Sequence, residues 1–107
     1  MIQAILKEGL EDKDFIKEKT EGIEELRNQI SSFKLKLSEK ATESEDEIEK
    51  AARVFAQAKR SMILVGSGLW SALDAKAIAV GSSNLALVTG HVGKESNGIL
   101  ILLEKCN

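Results

Sequence analysis

Apolar and polar positions change period along this chain, and the changes divide it near residue 60. Ile2, Ile5, Leu6 and Leu10 recur at helical spacing, so residues 1–10 predict a short amphipathic helix with Gly9 fraying its end. Asp12 stands where a helix cap belongs, ahead of a second helix over residues 13–19 that buries Phe15 and Ile16. Glu21-Gly22 breaks it. Ile23, Leu26 and Ile30 then fall at i, i+3 and i+7, a third helix with Glu24, Glu25 and Arg27 facing water. Across residues 31–44, Phe33, Leu35 and Leu37 alternate with lysines, which a strand would also show. An extended connector tucking three apolar side chains under a neighbour is the favoured reading, with a helical turn at Leu37-Ser-Glu-Lys-Ala41.

The second half has a different rhythm. Ser44-Glu-Asp-Glu47 is a capping box: the serine can accept from a first-turn amide while Glu47 reaches back, and the acids suit the positive helix end. Ile48, Ala51, Ala52, Phe55 and Ala58 follow on one predicted face, the alanines suggesting close packing on a sheet, with Lys59-Arg60 at the negative end. Met62–Val65 is an unbroken apolar run bounded by Arg60 and Gly66, as expected of a parallel strand covered on both faces. Residues 72–88 predict a helix apolar nearly all round, packed on both sides, in which Gly81 admits a close neighbour. Thr89-Gly90 ends it, a glycine-spaced loop runs to Gly98, and Ile99–Leu103 is a second strand. Strand, helix and strand in that order predict a right-handed crossover with the strands parallel, though not necessarily adjacent.

Composition narrows the class. The chain has 107 residues and a net charge of −2, with lysines interleaved among acids, so it carries no electrostatic footprint for nucleic acid. Nothing approaches a membrane span, and Met1-Ile-Gln-Ala-Ile-Leu-Lys7 lacks the features of a signal peptide. A single cysteine, Cys106, cannot form an internal disulfide, which makes a cytoplasmic setting the default. Residues 1–60 hold 12 of the 15 basic and 14 of the 17 acidic residues. A second half so poor in charge is the kind that lies inside something larger, so the chain reads as one α/β segment: 1–60 mainly helical, 61–107 strand-helix-strand.

Candidate chemistry is sparse. Gly66-Ser-Gly-Leu-Trp-Ser71 resembles a dinucleotide fingerprint with serine in place of the third glycine, in the required place between strand and helix. No acid stands about 20 residues on to read a ribose, so a plain strand-to-helix turn is the simpler account. Trp70 reads as core or interface. His91 is the only histidine and has no second ligand for a metal, which favours a role within its loop over catalysis. No nucleophile–base pair and no cysteine cluster is present. No complete active site is expected in these residues.

The order of features resembles a known family. Gly9-Leu-Glu-Asp-Lys-Asp-Phe-Ile16 followed by Thr20-Glu-Gly-Ile-Glu-Glu-Leu26 is similar to a passage of the molybdopterin oxidoreductases. Those include formate dehydrogenases, nitrate reductases and the large iron–sulfur subunit of NADH–quinone oxidoreductase (complex I). Glu47-Ile48 with Ala51-Ala52-Arg53 looks like the helix before that family's central strand, and Ile63-Leu-Val-Gly-Ser-Gly-Leu69 like the strand and turn. Leu85-Ala-Leu-Val-Thr-Gly-His-Val-Gly-Lys94 resembles its Thr-Gly-Asn-x-Gly-Arg/Lys signature, with His91 where asparagine is usual. Asn97-Gly-Ile99 and Cys106-Asn107 look more like the complex I subunit than a formate dehydrogenase.

The resemblance implies a Rossmann-like β-α-β unit within a larger three-layer domain that helps cradle a molybdopterin guanine dinucleotide in the parent enzyme. Gly66, Ser67, Gly68, Thr89, Gly90, His91 and Gly93 are then the positions nearest the cofactor, with no metal ligand among them. The implied role is scaffold in an electron-transfer subunit, its partners the rest of that subunit and other oxidoreductase subunits. Membrane association would come only through such a complex. The rivals are a free-standing nucleotide-binding protein and a structural interaction module.

Overall fold

The computed structural model describes residues 1–32, 45–66, 68 and 75–102. Helix α1 (Ile2–Glu8) ends where Gly9 enters the left-handed region at φ 68°, its N–H bonding the Ile5 carbonyl. Helix α2 (Lys13–Lys19) starts at Asp12, whose Oδ1 accepts from the Phe15 N–H at 3.0 Å, and stops where Thr20 turns extended. Helix α3 (Ile23–Ser32) includes Ser31 and Ser32, which the sequence assigned to the connector. Phe33, Leu35, Leu37 and the Ser44 cap lie outside the described residues. Helix α4 (Glu45–Gln57), strand β1 (Met62–Val65), helix α5 (Ala75–Val88) and strand β2 (Gly98–Ile101) complete the order.

The strands are parallel and directly paired, with Met62 opposite Gly98, Ile63 opposite Ile99, Leu64 opposite Leu100 and Val65 opposite Ile101. The Leu102 N–H extends the ladder to the Val65 carbonyl at 2.8 Å. The α/β class and the parallel crossover expected from the sequence are therefore present, with β2 one residue earlier than predicted and Leu103 outside the described residues.

The core sits among the helices, not on the sheet. Ala4 and Ile5 of α1 meet Ala52 of α4 and Val88 of α5, and Leu6, Leu10, Ile23, Leu26, Ala56 and Leu85 close around them. Two expectations change here. Ala51 is exposed and Ala56 takes its place, so the buried face of α4 runs through Ile48, Ala52, Phe55 and Ala56. That face packs mainly on α1 and not on the sheet, because the small side chains of α4 admit another helix as readily. Helix α5 is also less enclosed than its composition suggests: Val80 is half exposed, and a Cβ built on Gly81 meets nothing within 4 Å.

Charges tie the helices together. Arg53 donates to both oxygens of Glu8 at 2.7 Å, joining α4 to α1. Glu11 is buried, and Arg27 of α3 donates to its Oε1 at 2.7 Å. Burial pushes the Glu11 carboxyl up, but bonds from its own backbone N–H and from Arg27 outweigh it and hold the group below the ordinary 4.5. Arg53 likewise lowers Glu8. Groups depressed in the folded state add stability above their unfolded value near 4.5 and lose it as pH falls through the folded value. The wild-type melting midpoint is therefore expected to drop on acidification below pH 4.5. Glu11→Gln should flatten that drop, and an unchanged profile in a pH series of thermal melts would refute the assignment.

Candidate functional site

Because the sheet is parallel, its two ends are chemically different places. Gly66 and Gly68 follow β1 at the carboxyl end, beside Leu102 at the end of β2. Both are exposed; Ser67, Leu69, Trp70 and Ser71 lie outside the described residues. Neither glycine adopts a positive φ, and a Cβ built on either meets nothing within 4 Å. Among the described residues, neither backbone nor packing requires glycine at these positions. Gly66 leaves accessible main chain at the edge where parallel sheets receive ligands.

Thr89, Gly90, His91 and Gly93 lie before β2, at the opposite, amino end. The two groups therefore lie at opposite ends of the short sheet. The amino-end residues are organised as a helix stop. The His91 N–H reaches the Ala86 carbonyl at 2.9 Å and the Gly90 N–H reaches Leu87 at 3.2 Å, the Schellman pair, with Gly90 left-handed at φ 67°. The Thr89 hydroxyl turns back on the Leu85 carbonyl at 2.8 Å.

Asp12 locks this stop to α2. Its N–H donates to the Val88 carbonyl at 2.9 Å, and its carboxylate fills the space a Gly90 side chain would need. Lys94 stands 3.8 Å from Asp12 Oδ2, with its ammonium 5.6 Å from the centre of the Phe15 ring. Two of the stretches that carry the family resemblance, around Asp12-Phe15 and around Thr89–Lys94, are one contact in space. The sequence marks Asp12 only as a cap; nothing local announces its second role.

His91 is buried as well. Its Nε2 lies 2.8 Å from the Ala58 carbonyl, which can only accept, so this nitrogen carries a hydrogen. Nδ1 lies 2.9 Å from the Thr89 hydroxyl, and Phe55 packs edge-on at 5.2 Å. The ring thereby ties the end of α4 to the loop before β2. Close by, Asn97 Oδ1 accepts from the Ser61 N–H at 2.7 Å, a contact the sequence did not flag. Replacing His91 by Phe keeps the ring stack and removes both polar ties, leaving the Ala58 carbonyl unpaired. The expected loss is about 1–3 kcal/mol, read from a urea midpoint. A loss below about 0.5 kcal/mol would show that the tie is unimportant. Gly93, left-handed at φ 71°, is the exposed member of this group.

Among the described residues no group of three His, Cys, Asp or Glu is placed to hold a metal ion. No helix among them is long and apolar enough to cross a membrane.

A helical layer on a short parallel sheet, with an exposed glycine at its carboxyl edge, is a partial α/β domain. Its relatives are oxidoreductases. The chain is 36% identical to formate dehydrogenase H of Escherichia coli over 100 residues, covering 92% of this chain and 14% of that enzyme. It is 34% identical to a formate dehydrogenase subunit alpha of Methanocaldococcus jannaschii over 100 residues, with coverage of 92% and 15%. It is 33% identical to the assimilatory nitrate reductase catalytic subunit of Bacillus subtilis over 99 residues, with coverage of 92% and 14%. The chain spans about one seventh of the length of these relatives. Formate dehydrogenases and nitrate reductases are both enzymes to which the sequence resemblance pointed. No family model and no solved structure matches the chain.

Proposed function

We propose that this chain is a scaffold segment of a molybdopterin-type oxidoreductase subunit, and that it contacts the pterin nucleotide at Gly66, Ser67 and Gly68. The observation carrying this reading is the exposed Gly66 at the carboxyl end of β1, for which neither φ nor packing among the described residues supplies a reason. Formate dehydrogenase and nitrate reductase relatives over 92% of the chain support the class. The group fits there in kind: backbone N–H donors without side chains can approach phosphate oxygens closely. When bound, a molybdopterin supplies the redox chemistry. The residues of this chain hold and orient its nucleotide arm, while Thr89, Gly90, His91 and Gly93 hold the framework behind it. Within the class, the large subunit of NADH–quinone oxidoreductase is our preferred parent, on the Asn97-Gly-Ile99 and Cys106-Asn107 likeness.

Gly66→Val separates the two roles. In the natural-length protein it should sharply lower the pterin released on denaturation, while the unfolding free energy of the segment itself stays within about 0.5 kcal/mol of wild type. A full pterin complement in the variant would overturn the contact. Reading the flanking gene tests the class: an upstream cysteine-rich region is expected.

A further inference from the structure

Asn97-Gly98 is the one Asn-Gly pair in the sequence, and the structure calls for both residues. Gly98 opens β2 at φ 133°, a conformation that disfavours a side chain. Asn97 supplies the Oδ1 that accepts from the Ser61 N–H at 2.7 Å, just ahead of β1. The same pair is chemically vulnerable. With no Cβ on Gly98, its backbone nitrogen can approach the side-chain carbonyl carbon of Asn97 without obstruction.

We infer that Asn97-Gly98 is a latent deamidation site, clamped by Ser61 and released when β1 and β2 part at their amino ends. In the reaction the Gly98 nitrogen loses its hydrogen and bonds to Asn97 Cγ. The Cγ–Nδ2 bond breaks, and Nδ2 leaves as ammonia with that proton, relayed by water. One water then opens the resulting succinimide at either carbonyl, leaving aspartate or isoaspartate at position 97. Nothing is oxidised or reduced.

One residue holds both reacting groups. The Gly98 N–H donates to the Ser61 carbonyl at 3.3 Å, so the hydrogen that must leave is engaged. The Asn97 side chain is anchored on the Ser61 N–H, which resists the rotation that the attack needs. The Asn97 N–H donates to the Lys94 carbonyl at 3.3 Å and fixes the backbone leading into the pair. Water is at hand, since Gly93–Ser96 are exposed and Asn97 and Gly98 are half-buried. Opening is therefore the limiting event, as it is for exchange of a bonded amide hydrogen. Aspartate would keep an acceptor for Ser61. Isoaspartate puts an extra methylene into the main chain ahead of Gly98 and disturbs its pairing with Met62. A transient opening thus leaves a permanent mark on the sheet.

The test uses the natural-length protein in mildly alkaline buffer, folded and in denaturing urea, with aspartate and isoaspartate at position 97 quantified by peptide mass spectrometry. The unfolded protein should be modified at Asn97, and the folded protein at least about tenfold more slowly. Ser61→Pro removes the N–H that anchors Asn97. Folded, as judged by circular dichroism, it should be modified at least about threefold faster than folded wild type, the weight of one hydrogen bond. Exchange of the Gly98 amide hydrogen reads the clamp without any variant. Below the unfolding transition, that exchange and the modification of wild type should rise with urea in parallel. A folded rate less than about tenfold below the unfolded one, a wild-type rate in folded Ser61→Pro, or diverging urea responses would each overturn the inference.

Discussion

Gly90→Ala is expected to be among the most damaging single-methyl additions in the chain. Gly90 sits at φ 67°, where a side chain costs about 1–2 kcal/mol. The added Cβ would also land on the Asp12 carboxylate, with Asp12 Cγ only 3.0 Å away. Asp12 cannot yield without loss, since Oδ1 caps α2 and its N–H is bonded to the Val88 carbonyl. Loss of a cap alone costs about 1 kcal/mol. Together these should remove about 3 kcal/mol, lowering the melting midpoint by roughly 12–24 °C in a domain of this size. Circular dichroism melts provide the readout. A midpoint within about 3 °C of wild type would refute the role given to the Asp12–Gly90 contact. The double variant Asp12→Ala/Gly90→Ala supplies the control: it should be less destabilised than the sum of the singles, because each removes the same contact.

Ile5→Ala should have a comparable effect by a different route. Ile5 is fully buried at 0% exposure, at the centre of the cluster joining α1, α4 and α5. Truncating such a side chain costs about 2–5 kcal/mol, the lost transfer energy plus the cavity left behind. That is a large part of the 5–15 kcal/mol typical of whole domains. The urea midpoint should fall with the slope unchanged. Leu64→Ala, at 61% exposure, is the matched control and should cost no more than about 0.5 kcal/mol in the isolated chain. If the two variants prove alike, the core does not lie among the helices.

The sequence made the elements legible because their signals are local. Asp12 before α2, Gly22 before α3 and the apolar run Met62–Val65 each act within a few residues, and each element lies where they put it. Partners are another matter. Ala51 and Ala56 are equally acceptable on a helix face, so periodicity could not say which one α1 would bury. The burial of Glu11 was invisible for the same reason, since it depends on Arg27 arriving from another helix. At the site, the resemblance named Gly66–Gly68 and Thr89–Gly93 as the positions nearest a cofactor, but only the parallel register shows that one group follows a strand and the other precedes its neighbour. His91 shows the limit most plainly: its tie to Ala58 is a tertiary bond with no trace in the spacing.

The link between Asp12 and Val88 has a further consequence, for synthesis. A ribosome delivers the amino end first, so α1, α2 and α3 emerge with Ile5 and Ile16 exposed. The Val88 carbonyl and Gly90, which complete the packing around Asp12, follow roughly 4–16 s later at ordinary elongation rates of about 5–20 residues per second. During that interval the nascent helices have half a core. Interspersed surface charge favours solubility over such an interval, and residues 1–32 carry it densely.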